Sequence, residues 1–132
     1  MPQYDWETMT FEEKHHLLAE KVMEWTVGEH PELHGTGQMM VEYEEPVYFR
    51  QDGTFLCECE WYPTEDISAA WEVVEKMKQD GWLPSIEYFE KAIRKGYEVT
   101  MGHMSEDAQW AISETAPEAI CLAALRAKGV DV

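Results

Sequence analysis

Two pairs of residues have types that a metal ion could use: His30 and His34, four positions apart, and Cys57 and Cys59, two apart. Structural zinc takes a tetrahedral set of nitrogen and sulfur ligands, usually with a longer spacer between paired cysteines than the single Glu58 here. Pro31 interrupts the histidine pair, so the two rings do not stack on successive turns of one helix. The Cys-x-Cys pair reads instead as small apolar residues on a strand, facing a core with Phe55 and Trp61. No metal and no cofactor are indicated.

Covalent catalysis has as little support. The chain has no Gly-x-Ser-x-Gly elbow and no glycine-rich phosphate loop, Gly35-Thr36-Gly37 being too short to cradle a phosphate. Carboxylates are so abundant that any two meeting by chance would say nothing about hydrolysis. His15-His16 reads as surface. No catalytic residue is assigned, and an uncharacterised hydrolase ranks third among the functional readings.

Binding is the better class. Six Trp, six Tyr and four Phe are more aromatic rings than a core of this size needs, so some are expected to line a pocket or an interface. The candidate ligand set is Arg50, Trp61, Tyr62, Thr64, Trp82 and Tyr48. Trp and Tyr would supply stacking; Arg50 and the backbone N–H groups at the helix start Thr64-Glu65-Asp66 would hold an anion. The plainer reading of Arg50 is a turn residue paired with a nearby carboxylate.

Charge bounds the partners. The 132 residues carry 27 acids and 10 bases, a net charge of −17. Such a field opposes a nucleic-acid backbone and an anionic membrane surface, so neither is expected as a direct partner. Residues 1–63 hold 14 acids and 3 bases, which concentrates the negative charge in the first half. Three cysteines are too few for a disulfide framework; together with an N-terminus lacking signal-peptide blocks, they suggest reduced thiols and a cytoplasmic protein. No run approaches the ~20 apolar residues of a membrane span.

The elements that must position these residues follow from caps and periodicity. Thr10-Phe11-Glu12-Glu13 is a capping box, and Phe11, Leu18, Val22 and Trp25 share a helical face, predicting a helix over 11–27 with Gly28 as its left-handed cap. Residues 29–37 read as a loop. From 39 to 61 the period becomes two: a strand over 39–43, then a hairpin of 47–50 and 54–61 about Gln51-Asp52-Gly53. Pro63-Thr64-Glu65-Asp66 opens a second helix with Ile67, Ala70, Trp71, Val74 and Met77 as its apolar stripe and Gly81 as its stop. Residues 82–94 suit either a helix or a strand. Tyr97, Val99 and Met101 alternate as a strand, 109–112 form another, and the capping box Thr115-Ala116-Pro117-Glu118 opens a last helix ended by Gly129. Helices and strands without regular βαβ alternation indicate a single α+β domain over 1–132, a three-layer α/β/α sandwich of mostly antiparallel sheet with three helices.

The runs Trp61-Tyr62-Pro63-Thr64-Glu65-Asp66-Ile67-Ser68-Ala69-Ala70-Trp71-Glu72-Val73-Val74-Glu75-Lys76-Met77 and Thr115-Ala116-Pro117-Glu118-Ala119-Ile120-Cys121-Leu122-Ala123-Ala124-Leu125, with the earlier Ala19-Glu20-Lys21-Val22-Met23-Glu24-Trp25, resemble the phage ABA sandwich domain. The resemblance implies the sandwich fold, a phage or prophage source and no catalytic motif. It favours an extended conformation for 82–94. On that basis the leading expectation is a non-enzymatic counter-defence protein that sequesters a small nucleotide-derived host immune signal. The alternative is an acidic, DNA-mimic-like decoy that blocks a basic host protein. Either would act in the cytoplasm of an infected or lysogenic bacterium, as a possible homo-oligomer.

Overall fold

A computed structural model describes residues 3–28 and 47–132. His30, His34, Tyr43 and the expected loop over 29–37 and strand over 39–43 lie outside the described residues. The elements are α1 (Phe11–Lys21), β1 (Thr26–Gly28), β2 (Val47–Phe49), β3 (Phe55–Cys57), α2 (Ile67–Gln79), β4 (Leu83–Lys91), β5 (Arg94–Gly102), β6 (Gln109–Ser113) and α3 (Ala116–Ala127). Among the described residues the strands form two three-stranded antiparallel sheets, β1-β2-β3 and β4-β5-β6. The fold is therefore an α+β sandwich of antiparallel strands with three helices.

The caps read from the sequence set the helix starts. Thr10 Oγ1 accepts from Glu13 N at 3.2 Å and Thr115 Oγ1 from Glu118 N at 3.4 Å. Helix α2 starts later than its expected opening at 63–66: Glu65 N and Asp66 N both donate to the Tyr62 carbonyl in a turn, and Asp66 is the N-cap, accepting from Ser68 N at 3.1 Å. The end of α1 differs from the expected helix over 11–27. The helix stops at Lys21, Glu24 turns left-handed at φ 60°, and Trp25 N donates to the Ala19 carbonyl at 2.8 Å. Trp25 is thereby carried off the helix to pack on Trp61, centroids 4.7 Å apart, and on Tyr48 at 6.2 Å. Burying three large rings together outweighs one more helical turn. Gly28 is a strand residue, not a cap: a Cβ there would lie 3.0 Å from the Phe49 ring.

The Asp-Gly hairpin forms as expected. Arg50 N donates to the Thr54 carbonyl at 2.8 Å, Gly53 takes φ 89°, and Asp52 Oδ1 accepts from both Thr54 N and Oγ1. The second strand, however, ends at Cys57 and continues as a 3-10 turn over Glu58–Glu60. That break reverses the expected facing: Leu56 is buried, Phe55 and Cys59 are exposed, and only Trp61 of the predicted inward set reaches the core.

Residues 82–94 resolve as strand. β4 pairs along its whole length with β5, in the register Leu83↔Gly102 to Lys91↔Arg94. β6 pairs only with 97–101, so the tip of the β4–β5 hairpin runs past the third strand. Helix α3 packs on β5 and β6 and against α2, over Val99, Met101 and Ala111, with Ile120, Ala123, Ala124 and Leu125 all buried. Leu83 and Trp110, on the opposite face of that sheet, are exposed. Residues from all three helices and both sheets join one buried cluster. Within it the stripe of α2 is shifted from the predicted one: Ala69, Ala70, Val73, Val74 and Met77 are inside, while Ile67 and Trp71 stand half out.

Candidate functional site

The face of α2 turned from the core carries Ser68, Trp71, Glu72, Glu75, Lys76 and Gln79, at helical spacing. Opposite it stand the β2–β3 turn (Arg50, Gln51, Asp52) and the left-handed exit from α1 (Met23, Glu24, Trp25). Between them is an open cleft of about 740 Å³, within the size range of small-molecule sites.

Its rim is electrostatically mixed. Lys76 Nζ bonds Glu24 Oε2 at 3.0 Å and Asp80 Oδ2 at 2.7 Å, and Lys128 also reaches Asp80. Partial burial penalises the Lys76 charge, but the bonds to Asp80 and Glu24 outweigh it and hold its pKa above the usual lysine value. Asp80 shows the mirror case: burial favours its neutral form, yet the two ammonium groups keep its pKa below the ordinary range. These four groups neutralise one another. Asp52 is engaged by Thr54, whose hydroxyl and N–H hold its carboxyl acidic.

Arg50 is placed differently. Its guanidinium lies over the Trp25 ring, 5.5 Å from the centroid, and makes no ion pair among the described residues. Trp71, 49% exposed, offers a ring on the α2 side of the cleft. Beneath, the buried Trp61 donates from Nε1 to Glu72 Oε2 at 3.1 Å, fixing that carboxylate in the wall.

The structure does not bring the six sequence-predicted ligand residues together. Arg50 lines the cleft. Trp61 and Tyr48 are buried below it, and Tyr48, whose hydroxyl has no hydrogen-bond partner among the described residues, has its pKa raised by desolvation and by Glu58. Thr64 is also buried, its hydroxyl 2.8 Å from His15 Nε2. At the helix start of α2 the donors are engaged within the protein: the Thr64 hydroxyl faces His15, Glu65 N and Asp66 N donate to the Tyr62 carbonyl, and Ser68 N donates to Asp66. Tyr62 is part-exposed beside Phe11, with centroids 6.3 Å apart, and Trp82 is buried against His103 at 4.7 Å. Sequence reasoning missed Trp71, Glu72 and Glu75 as cleft residues, because Trp71 sits on the apparent apolar stripe of α2.

His15 also departs from its expected surface position. It is fully buried, edge-on to Phe11 at 4.1 Å, and burial pulls its pKa down to about 4. The signal was present: Phe11, His15, Leu18 and Val22 recur at helical spacing.

Other chemistry finds little purchase. Among the described residues no group of three or more His, Cys, Asp or Glu could hold a metal ion. Ser105 Oγ approaches His103 Nδ1 at 3.2 Å and Glu106 the same nitrogen at 3.9 Å. A nucleophile–base–acid relay uses the two different ring nitrogens of the histidine, so this grouping is a turn and not a triad. Among the described residues no helix is long and apolar enough to cross a membrane.

The family model of the phage ABA sandwich domain matches residues 16–125, a span that includes both the cleft and its supporting core. No curated protein and no solved structure shows a significant match to the chain.

Proposed function

The chain belongs to the phage ABA sandwich domain family, and from that premise we propose that it is a non-enzymatic phage accessory protein that captures a small nucleotide-derived host defence signal in the cleft between α2 and the β2–β3 turn. The observation that carries this reading is Arg50: a cation in a chain of net charge −17 that rests on an indole face and opens on a cleft, with no carboxylate paired to it among the described residues. A guanidinium so placed is available to grip a phosphate through two parallel hydrogen bonds. Trp71 supplies the stacking surface for a base. Glu72 and Glu75 can accept from ribose hydroxyls and exocyclic amino groups.

The same carboxylates limit the ligand. With Arg50 the one lining cation outside an ion pair among the described residues, a chain of several phosphates would be repelled, so the fit is to a ligand rich in hydroxyls with few phosphates. Capture alone suffices for counter-defence in the cytoplasm of an infected or lysogenic bacterium, because a sequestered signal cannot reach its receptor. Melting curves recorded with a panel of cyclic and linear nucleotides test the reading. A rise in melting temperature with one of them is expected, through preferential binding to the folded state.

A second reading has its own support. The cleft is lined by five carboxylates and two basic groups, within a chain whose first 63 residues hold 14 acids. That surface would suit a basic patch on a host protein, as an acidic decoy does. Capture from host lysate at low salt, lost at high salt, would favour it.

A further inference from the structure

Three of the ten basic residues, Lys91, Arg94 and Lys95, cluster at the tip of the β4–β5 hairpin, which runs past the third strand of its sheet. All three are exposed, and Ile93 among them is 99% exposed. Arg94 lies over the Phe89 ring at 5.8 Å, and none of the three makes an ion pair among the described residues. In so acidic a chain, three exposed cations with no ion pair among the described residues, around an exposed apolar side chain, form a docking element whose natural complement is an acidic, partly apolar groove. The chain carries such a groove itself. In the α2 cleft, Asp52, Glu72 and Glu75 are the carboxylates outside the Lys76–Asp80 network; Asp52 is engaged by Thr54, Glu72 accepts from Trp61, Glu75 makes a 3.5 Å contact to Lys78, and Trp71 stands half-exposed on the same helix face.

We infer that the β4–β5 hairpin tip of one copy docks in the α2 cleft of a second copy, with Ile93 against Trp71 and the Lys91, Arg94 and Lys95 cations facing Glu72 and Glu75. The two surfaces are different, and two tips exchanged reciprocally close the contact into a two-fold dimer. Charge complementarity of this kind sets partner choice and association rate and weakens with salt. The inference does not rest on nucleotide capture. A ligand in the same cleft contends with the tip and lowers self-association, as linkage requires.

Sedimentation velocity of the full chain at ~0.05 M and ~0.5 M salt tests it. The wild type self-associates at low salt and dissociates at high salt. The tip reversal Lys91→Glu/Arg94→Glu/Lys95→Glu and the cleft reversal Glu72→Lys/Glu75→Lys each sediment as monomers, and an equimolar mixture of the two pairs again, because acidic tips then meet basic clefts and basic tips meet acidic ones. Should the cleft double variant fail to fold, Glu75→Lys alone replaces it, leaving the Trp61–Glu72 bond intact. A wild type that stays monomeric at low salt, a tip reversal that leaves association unchanged, or a mixture that stays monomeric overturns the inference. Nucleotide titration of the tip-reversed chain, whose cleft is untouched, reports on ligand capture separately.

Discussion

The Arg50 guanidinium lies over the Trp25 ring, 5.5 Å from its centroid, so among the described residues the cation at the hairpin turn is held by an aromatic face and not by a carboxylate. The arrangement depends on a helix ending early. Because α1 stops at Lys21 and Glu24 turns left-handed, Trp25 arrives beneath the turn with Trp61 and Tyr48 behind it. Stacking of this kind contributes about 0.5–1 kcal/mol at an exposed site and leaves the guanidinium edge open.

Arg50→Ala should therefore separate binding from stability. Loss of a charge-assisted bidentate contact predicts about tenfold to a hundredfold weaker ligand binding, while the melting temperature falls by only a few degrees at most, ~1 kcal/mol in a domain of this size. Arg50→Lys keeps the charge and loses the fork, and should recover only part of the affinity. Titration calorimetry and thermal melts on the same preparations check both.

Trp71 and Trp61 should respond in opposite ways. Trp71→Ala removes a half-exposed ring and should weaken ligand binding, with a stability cost of about 1 kcal/mol or less. Trp61→Phe deletes the donor to Glu72 and should cost about 1–2 kcal/mol of stability through the lost bond and imperfect packing. Urea denaturation compared with ligand titration distinguishes the two.

The buried His15 predicts a pH dependence. Its pKa lies near 4 in the folded chain and near 6.5 when exposed. Above the higher value both states are neutral and the residue contributes no pH dependence. Between the two, the unfolded chain binds a proton that the folded chain refuses, so stability falls as the pH drops from 6.5 towards 4. The full loss is on the order of 3 kcal/mol. His15→Gln should flatten that part of the profile relative to wild type, which urea midpoints taken across the range will show.

Gly96→Ala tests the second sheet. A Cβ at this position would sit 2.5 Å from the Ser113 carbonyl oxygen, where backbone and not a pliable side chain must yield. Overpacking of this kind costs about 1–3 kcal/mol, and a denaturation midpoint lowered accordingly, with α3 helicity retained in far-UV spectra, is the expected result.

What could be read from the sequence was local. The caps at Thr10 and Thr115, the Asp52-Gly53 turn and the Val99/Met101 alternation each depend on neighbours a few residues away, and each appears in place. What could not be read was set by contacts between distant parts of the chain. Trp25 keeps helical spacing with Val22, yet its packing on Trp61 ends the helix. Trp71 lies on the stripe of α2, yet the core reaches only as far as Ala70 and Val74, and the ring is left facing the cleft. Residues 82–94 carried both periodicities, and pairing with β5 decided between them. For the site, Arg50 was visible as a scarce cation at a turn. Its companions were hidden because Trp25, Trp71 and Glu72 come together only through the tertiary fold.

The central claim, that the cleft beside Arg50 holds a nucleotide-like ligand, is tested most directly by titrating a panel of cyclic and linear nucleotides into wild type and Arg50→Ala in a calorimeter at low salt. Saturable binding of at least one member by the wild type, weakened about tenfold or more in the variant, is the predicted result. Heats that stay flat across the whole panel, or a ligand bound equally well by both proteins, would contradict it.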